Sequence, residues 1–259
     1  MKTLLKVVVG LVVVGVVAVG LVFYLTSDLT KTADGFFAAV KAKDYGGASQ
    51  FLSEDFRAAT PQTELAAFLD QSTLTAFKTA SWTNRSVSGN RGNLDGSITT
   101  DSGGVVPITL EFVKENGNWR IRSLYKPKAG LTPDTAAKSP PTEAELAALV
   151  TAALHQFALS SNAKDFSGFH KYISHLWQTQ ITVEQLNDAF KPFMEIDLLV
   201  LDNLTPEFDG APSTSDAGEL SVKGHYPTKP SRVAFELGFI YEGVGWKLLK
   251  VNLNIKSVE

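Results

Sequence analysis

The chain has 259 residues, of which 44% are hydrophobic and 20% are charged, enough for one large domain or two small ones with their own cores. Its formal net charge of −3 at pH 7 provides no broad basic surface, which argues against nucleic-acid binding through phosphate neutralisation. It contains no cysteine, so disulfides, thiolate metal sites, a cysteine nucleophile and a lipid-modified N-terminal cysteine are excluded.

The first notable feature is an uncharged run of Val, Leu, Gly, Ala and aromatic residues at 7–25. As a helix this run would be about 28 Å long, close to the thickness of the hydrocarbon core of a bilayer. Lys2 and Lys6 precede it, so the positive-inside rule places the N-terminus in the cytoplasm and the chain after about Ser27 outside. A cleaved signal peptide is the alternative, but its apolar region is normally shorter and ends in a small-x-small site. We therefore expect 1–28 to form a cytoplasmic tail and a retained transmembrane anchor in contact with membrane lipid.

The remaining sequence contains an internal repeat. The segment 42–45 (Ala-Lys-Asp-Tyr) recurs at 163–166 (Ala-Lys-Asp-Phe), an offset of 121 residues. At that offset apolar residues match apolar residues and a glycine matches a glycine: Phe36 and Phe157, Gly47 and Gly168, Phe51 and Tyr172, Phe56 and Trp177, Leu65 and Leu186. Near the ends of the two halves, Phe112, Gly117 and Trp119 match Phe239, Gly243 and Trp246 at an offset near 127. This pattern indicates a tandem duplication.

A proline-rich stretch separates the two copies. Prolines stand at 127, 133, 140 and 141, and proline both fixes φ and lacks a backbone donor, so this stretch is interpreted as a linker. Thr142 and Glu145 have the spacing of a capping box and predict the start of the next helix. The predicted boundaries are 29–127 for the first domain, 128–141 for the linker and 142–259 for the second domain.

Each copy is predicted to place three helices before its strands. The apolar spacing predicts helices at 30–43, 45–52 and 63–71 in the first copy, and at 142–162, 166–173 and 182–193 in the second. It then changes to period two and predicts strands at 105–112, 119–124, 196–201, 220–226, 233–241 and 246–255. The turns at 115–118 and 242–245 are rich in Gly and Asn, as hairpins require. Each domain is thus predicted to be α+β, with about three helices on one face of a curved antiparallel sheet.

This order of elements, with Gly-Asn-Trp-Arg-Ile at 117–121 and Gly-Trp-Lys-Leu at 245–248, resembles the nuclear transport factor 2-like superfamily. The resemblance covers both halves of the chain beyond the anchor. It implies two tandem cone-shaped domains, in each of which a sheet wraps around a long helix and encloses a pocket. Some members of that superfamily are isomerases, dehydratases or ring-cleaving enzymes that use Asp, His or Tyr in the pocket.

No group of residues in the sequence has a pattern that supports a catalytic site. All four histidines lie in the second copy, and only His225, on a predicted strand, is placed like a pocket residue. Asp197, on the predicted strand 196–201, is the acid that could pair with it in a catalytic dyad. The alternative is an exposed strand aspartate and a structurally satisfied histidine at the sheet edge.

The sequence contains no pattern that predicts a cofactor site or a metal site. No metal-ligand motif and no phosphate loop occur, and Gly103–Gly104 is interpreted as a hairpin turn. A basic strip in the first copy belongs either to a solvated sheet face or to a surface facing anionic headgroups: Arg85, Arg91, Arg120, Arg122, Lys126 and Lys128.

These observations favour a non-catalytic protein of the bacterial inner membrane, single-pass, with its C-terminal domains periplasmic or extracellular. We expect it to be a scaffold or accessory subunit that binds other membrane-complex proteins and no nucleic acid. A short tail, one anchor and cone domains resemble scaffold subunits of type IV secretion systems and accessory proteins of bacterial lipid transporters. Two alternatives stay open: a module that binds a small molecule or peptide in the cone pocket, and an isomerase- or dehydratase-like enzyme in the second domain.

Overall fold

The computed structural model describes residues 26–126, 140–215, 217–229 and 231–257. They divide into two compact units, one within residues 1–137 and one within residues 138–259. The predicted anchor at 7–25 and most of the predicted linker lie outside the described residues. Within the four described ranges, no helix combines the length and apolar character needed to cross a membrane.

Helices come first in the first unit. Residues 26–41 (α1) are helical and are followed by α2 (Tyr45–Ser49), α3 (Glu54–Ala59), α4 (Gln62–Gln71) and a 3₁₀ turn at Leu74–Ala76. The apolar side chains of α1 recur at helical spacing and are fully buried: Leu29, Ala33, Phe36, Phe37 and Val40. After α1 the chain reverses at Lys43, which has a φ of 56°.

The first sheet is an antiparallel meander of four strands. These are β1 (Phe77–Ser88), β2 (Arg91–Thr100), β3 (Val105–Glu115) and β4 (Asn118–Tyr125), hydrogen-bonded in the order β1-β2-β3-β4. Strand β2 alternates between buried and half-buried residues, so one of its faces packs on the core. Between β3 and β4 the predicted hairpin is confirmed, since Asn116 and Gly117 both have positive φ.

The second unit also begins with helices. These are α5 (Glu143–Ala163), α6 (Ser167–Tyr172), α7 (His175–Gln178) and α8 (Val183–Phe190), followed by 3₁₀ turns at Lys191–Glu195 and Leu199–Asn203. The capping box predicted at Thr142 and Glu145 is confirmed, because both reciprocal hydrogen bonds are present.

The second sheet is antiparallel and begins with two very short strands. It contains β5 (Glu207–Phe208), β6 (Ser213–Thr214), β7 (Leu220–Tyr226), β8 (Ser231–Glu242) and β9 (Gly245–Ser257). The order is β5-β7-β8-β9, and β6 also pairs with β7. Both units thus combine helices with an antiparallel sheet in a mixed α+β arrangement.

One backbone contact recurs in both units at the offsets of the sequence repeat. In the first unit the amide of Ser53 donates to the carbonyl of Ile121 at 2.8 Å, and in the second the amide of Ser174 donates to Leu248 at 2.7 Å. Both serines are fully buried, and each caps the short helix that follows it. The short helix is thereby fixed to the last strand of its own sheet.

A close backbone approach also recurs. A Cβ added to Gly96 in β2 would lie 2.0 Å from the carbonyl oxygen of Ser81 in β1. A Cβ added to Gly224 in β7 would lie 2.3 Å from the carbonyl oxygen of Glu207 in β5. Because the obstacle is backbone in each case, only glycine fits without moving the neighbouring strand.

Two predictions about the elements were wrong. The predicted strand 196–201 is instead a loop followed by the 3₁₀ turn Leu199–Asn203. A 3₁₀ helix has three residues per turn, so Leu198, Leu201 and Leu204 share one face, and the first two are almost fully buried. The prediction of about three helices also omitted one short helix in each unit, α3 in the first and α7 in the second.

Candidate functional site

Aromatic side chains fill the interior of the second unit. The ring of Phe157 on α5 contacts those of Phe166, Phe169, Phe190 and Phe193, with centroid separations of 4.9 to 5.5 Å. All four contacts are edge-to-face, a preferred geometry of aromatic pairs. These rings come from α5, from α6 and the residue before it, from α8 and from the 3₁₀ turn Lys191–Glu195, and they form part of the core of the second unit.

The first unit is also packed with aromatic residues. Phe36, Phe37, Phe56 and Phe112 are fully buried, and Phe37 stacks on Phe77 with 5.2 Å between the ring centroids. The core of each unit therefore consists of side chains from its helices packed on side chains from its sheet.

An open groove lies on the outer side of α5 in the second unit. It has a volume of about 620 Å³, and most of its lining is apolar. One wall is α5, and the other is the end of the 3₁₀ turn Leu199–Asn203 with the residues that follow it. The lining residues are Ala147, Ala148, Thr151, Ala152, His155, Asp202, Leu204, Thr205 and Pro206. A concave apolar surface with a few convergent polar groups is typical of a binding site.

A histidine and an aspartate form the polar part of this groove. Nδ1 of His155 lies 3.0 Å from Oδ1 and 2.9 Å from Oδ2 of Asp202. The side chains are 40% and 35% exposed, so both are accessible from the groove. Because an ionised carboxylate only accepts hydrogen bonds, Nδ1 of His155 is the donor in this contact.

A tyrosine lies behind the groove. The hydroxyl groups of Thr151 and Tyr226 are 3.5 Å apart, and Tyr226 is only 1% exposed. Burial raises the pKa of Tyr226, the hydrogen bond with Thr151 lowers it, and the charge of Asp202 raises it further. Tyr226 is therefore a neutral phenol at physiological pH and supports Thr151 from within the core.

His225, the histidine selected from the sequence, lies in β7 between two carboxylates. Its Nε2 is 3.0 Å from Oε2 of Glu207 and its Nδ1 is 3.0 Å from Oδ1 of Asp209. Arg232 in β8 contacts both His225 and Asp209. Because each ring nitrogen already has a protein partner and the side chain is only 15% exposed, His225 links strands rather than presenting a free base.

Asp197, the proposed partner of His225, lies elsewhere in the second unit. Its Oδ1 accepts hydrogen bonds of 3.1 Å from the side chain of Asn162 and from the backbone amide of Leu199. The carboxylate thus caps the 3₁₀ turn that follows it. The structure gives Asp197 and His225 different partners and does not bring them together as a dyad.

Two further residues named from the sequence, His170 and Arg120, have structural partners, whereas Lys128 of the basic strip lies outside the described residues. Nε2 of His170 lies 2.8 Å from the carbonyl oxygen of Ile181, and Arg120 donates to the carbonyl of Gln50. Gly103 forms a turn between β2 and β3 with a φ of 85°, as predicted for a hairpin. Within the described part of the chain, no three His, Asp or Glu residues are grouped so that they could hold a metal ion.

Sequence reasoning did not identify the α5 groove. A local signal was available, because Thr151 and His155 are four residues apart and therefore share a face of a strongly predicted helix. A second signal was the absence of Lys and Arg from residues 147–155 and 202–206, which line the groove. The partner Asp202 is 47 residues from His155 and had been placed just beyond a wrongly predicted strand.

No protein-family model and no curated protein matches the chain. Among solved structures, the chain is similar to a cystatin-like protein from Ruminococcus gnavus, with 10% sequence identity over 90% of this chain and 93% of the other and a TM-score of 0.27.

Proposed function

We propose that this chain is a non-catalytic, membrane-anchored protein of the bacterial envelope that acts as a scaffold or accessory subunit of a membrane complex. Its two units would be tandem cone domains of the nuclear transport factor 2-like type, held periplasmic or extracellular by residues 7–25. The observation that carries the proposal is the aromatic cluster around Phe157, because it packs the interior of the second unit with the protein's own side chains.

The membrane part of the proposal rests on the sequence. Residues 7–25 are long enough to span a bilayer and lack charge, and Lys2 and Lys6 precede them. Because the run is longer than the apolar core of a typical signal peptide, retention is favoured over cleavage. A tether of this kind would keep both units next to the membrane, where contacts with other membrane proteins become effectively intramolecular.

The tandem arrangement is supported by contacts that recur at the repeat offsets. The bonds from Ser53 to Ile121 and from Ser174 to Leu248 fix a short helix to the last strand in each unit. The neighbouring strand also passes close to the backbone of Gly96 in the first unit and of Gly224 in the second, and these glycines lie in matching strands. Two copies of one framework would give the protein two surfaces for assembly.

The first test concerns the tether. The full chain and a chain beginning at residue 26 are expressed in bacteria with a C-terminal affinity tag, and both are fractionated. We expect the full chain to resist carbonate and high-salt washing of the membranes and to keep its whole mass of 28.0 kDa plus the tag by intact mass spectrometry. The shortened chain should leave the membrane fraction. A full chain whose mature mass lacks residues 1–25 would overturn the proposal.

The second test concerns the role. The tagged full chain is extracted in mild detergent and its co-purifying proteins are identified by mass spectrometry. We expect membrane proteins in fixed ratio to the chain, which remain bound to a His225→Ala variant because that histidine is a structural link. Recovery of the chain without membrane partners would contradict the scaffold role.

A further inference from the structure

The α5 wall of the groove consists of small side chains in a row. Ala148 and Ala152 are exposed and one helical turn apart, and Thr151 lies beside them. Leu159 continues the same face seven residues after Ala152 and is 41% exposed. From Ala147 to Leu159 this face extends for about 18 Å along the helix. It is therefore long enough for a helical or extended segment of another chain, whereas a small molecule would cover only part of it.

The fixed charges at this groove are negative. The stretches that line it, 147–155 and 202–206, contain no Lys or Arg. Glu143 is exposed one turn before Ala147, and Asp202 lies in the opposite wall at 35% side-chain exposure. The one titratable base that lines the groove is His155, and it faces Asp202. A basic occupant would be attracted, and anionic lipid headgroups would be repelled.

We infer that the groove between α5 and residues 202–206 is a docking site for a basic amphipathic segment of a partner protein. Apolar side chains of that segment lie over the alanines of α5, and its Lys or Arg side chains approach Asp202 and Glu143. This inference rests on the proposed interaction role and specifies the chemistry of the partner.

The test measures binding of a fluorescent helical peptide of leucine and lysine, with leucine at helical spacing, to the full chain in phosphatidylcholine nanodiscs. Empty nanodiscs correct for lipid binding, and a peptide with glutamate in place of lysine is the charge control. We expect the lysine peptide to bind, with weaker binding at higher salt, and the glutamate peptide not to bind. Equal binding of the two peptides would overturn the inference. It would also be overturned if the chain bound a simple alkyl amine but did not bind the lysine peptide.

Two matched pairs of variants locate the site. Ala148→Lys puts bulk and positive charge into the groove, and Ala67→Lys makes the same change at an exposed alanine of α4 in the other unit. Asp202→Asn removes a carboxylate from the groove, and Glu195→Gln removes one that pairs with Lys164 outside it. We expect about a tenfold or greater loss of affinity for Ala148→Lys and about a threefold loss for Asp202→Asn, with little change in either control.

The variants also keep this inference separable from the proposed function. Thermal unfolding verifies that Ala148→Lys and Ala67→Lys fold alike, and membrane fractionation and pull-down test the tether and partners without reference to the groove. If the chain stays tethered with its partners but each groove variant binds the peptide as its control does, the groove inference is wrong and the proposed function stands. If the chain is cleaved after residue 25 but the groove still binds the lysine peptide and not the glutamate peptide, the proposed function is wrong and the groove inference stands.

Discussion

The two units agree on one side of their sheets and differ on the other. In both, the last strand accepts a hydrogen bond from a buried serine amide, Ser53 or Ser174. On the opposite side, the first unit has the twelve-residue strand β1, whereas the second has only the two-residue strands β5 and β6. The last strand of each sheet is held by these hydrogen bonds between backbone atoms, which few substitutions can alter. The other side is free to diverge, and it supplies one wall of the groove in the second unit.

The divergence also changes the local charge. Asp34 of α1 stands at the repeat position of His155 and faces Arg85 of β1. Burial raises the pKa of Asp34, and the charge of Arg85 opposes that shift. In the second unit the helix carries the histidine and the facing residue, Asp202, carries the acid. The acid therefore lies on the helix in the first unit and opposite the helix in the second, so a partner selected by charge would distinguish the units.

The largest expected effect comes from the aromatic core. Phe157→Ala removes a fully buried ring that contacts four other phenylalanines, so we expect the free energy of unfolding of the second unit to fall by about 3–5 kcal/mol. Phe36→Ala, at the matching position of the first unit, should cost less, since that ring makes its aromatic contact with Phe37. Urea unfolding combined with hydrogen exchange by mass spectrometry measures each unit. Loss of protection in both units after one substitution would contradict their independence.

An intermediate effect is expected from the hairpin glutamates. The carboxylate of Glu242 is 5% exposed and accepts amide hydrogen bonds from His175 at 2.8 Å and Leu176 at 3.1 Å. Glu115 accepts one amide bond, from Glu54 at 3.2 Å, in an exposed setting. We expect Glu242→Ala to cost about 2 kcal/mol and Glu115→Ala under about 0.5 kcal/mol, as measured by the denaturant midpoint. Equal losses would show that burial does not set the strength of this cap.

An effect confined to alkaline pH is a difference in stability between the two units. Burial raises the pKa of Tyr172 from 10.0 to about 12, and the first unit has Phe51 at the matching position. Between these values the unfolded chain has lost the proton that the folded chain keeps, so the stability of the second unit falls as pH rises from 10 to 12. Tyr172→Phe should reduce that slope, as measured by urea unfolding across this range. If the free energy of unfolding of the variant falls with pH as steeply as that of the unaltered chain, the loss of stability at alkaline pH comes from other groups.

Local signals allowed much of the helical framework to be predicted. The capping box of Thr142 and Glu145 and the Asn116–Gly117 turn depend on neighbours in sequence, and both were identified correctly. Strand β1 was missed because its residues are exposed or half-exposed along both faces, and no alternation of apolar residues marks it. Helix α7 was missed because part of its cap, Glu242, is 67 residues away.

The candidate site was harder to predict for the same reason. His225 was correctly placed on a strand, but its carboxylate partners come from a short strand and loop, Glu207 and Asp209, in a segment that shows no strand pattern. His155 lies on a well-predicted helix, yet only the folded chain brings it to Asp202. Sequence periodicity identifies the face on which a side chain lies, whereas its partner depends on how loops of irregular sequence are packed.

The hairpin cap has a consequence for the order of events during synthesis. Because α3 is capped by Glu115 and α7 by Glu242, 61 and 67 residues further along, neither short helix has its full set of contacts when it leaves the ribosome. Each unit closes only after its last hairpin has been translated. The first unit can thus finish folding while the second is still being made, which limits mispairing between two halves of similar sequence.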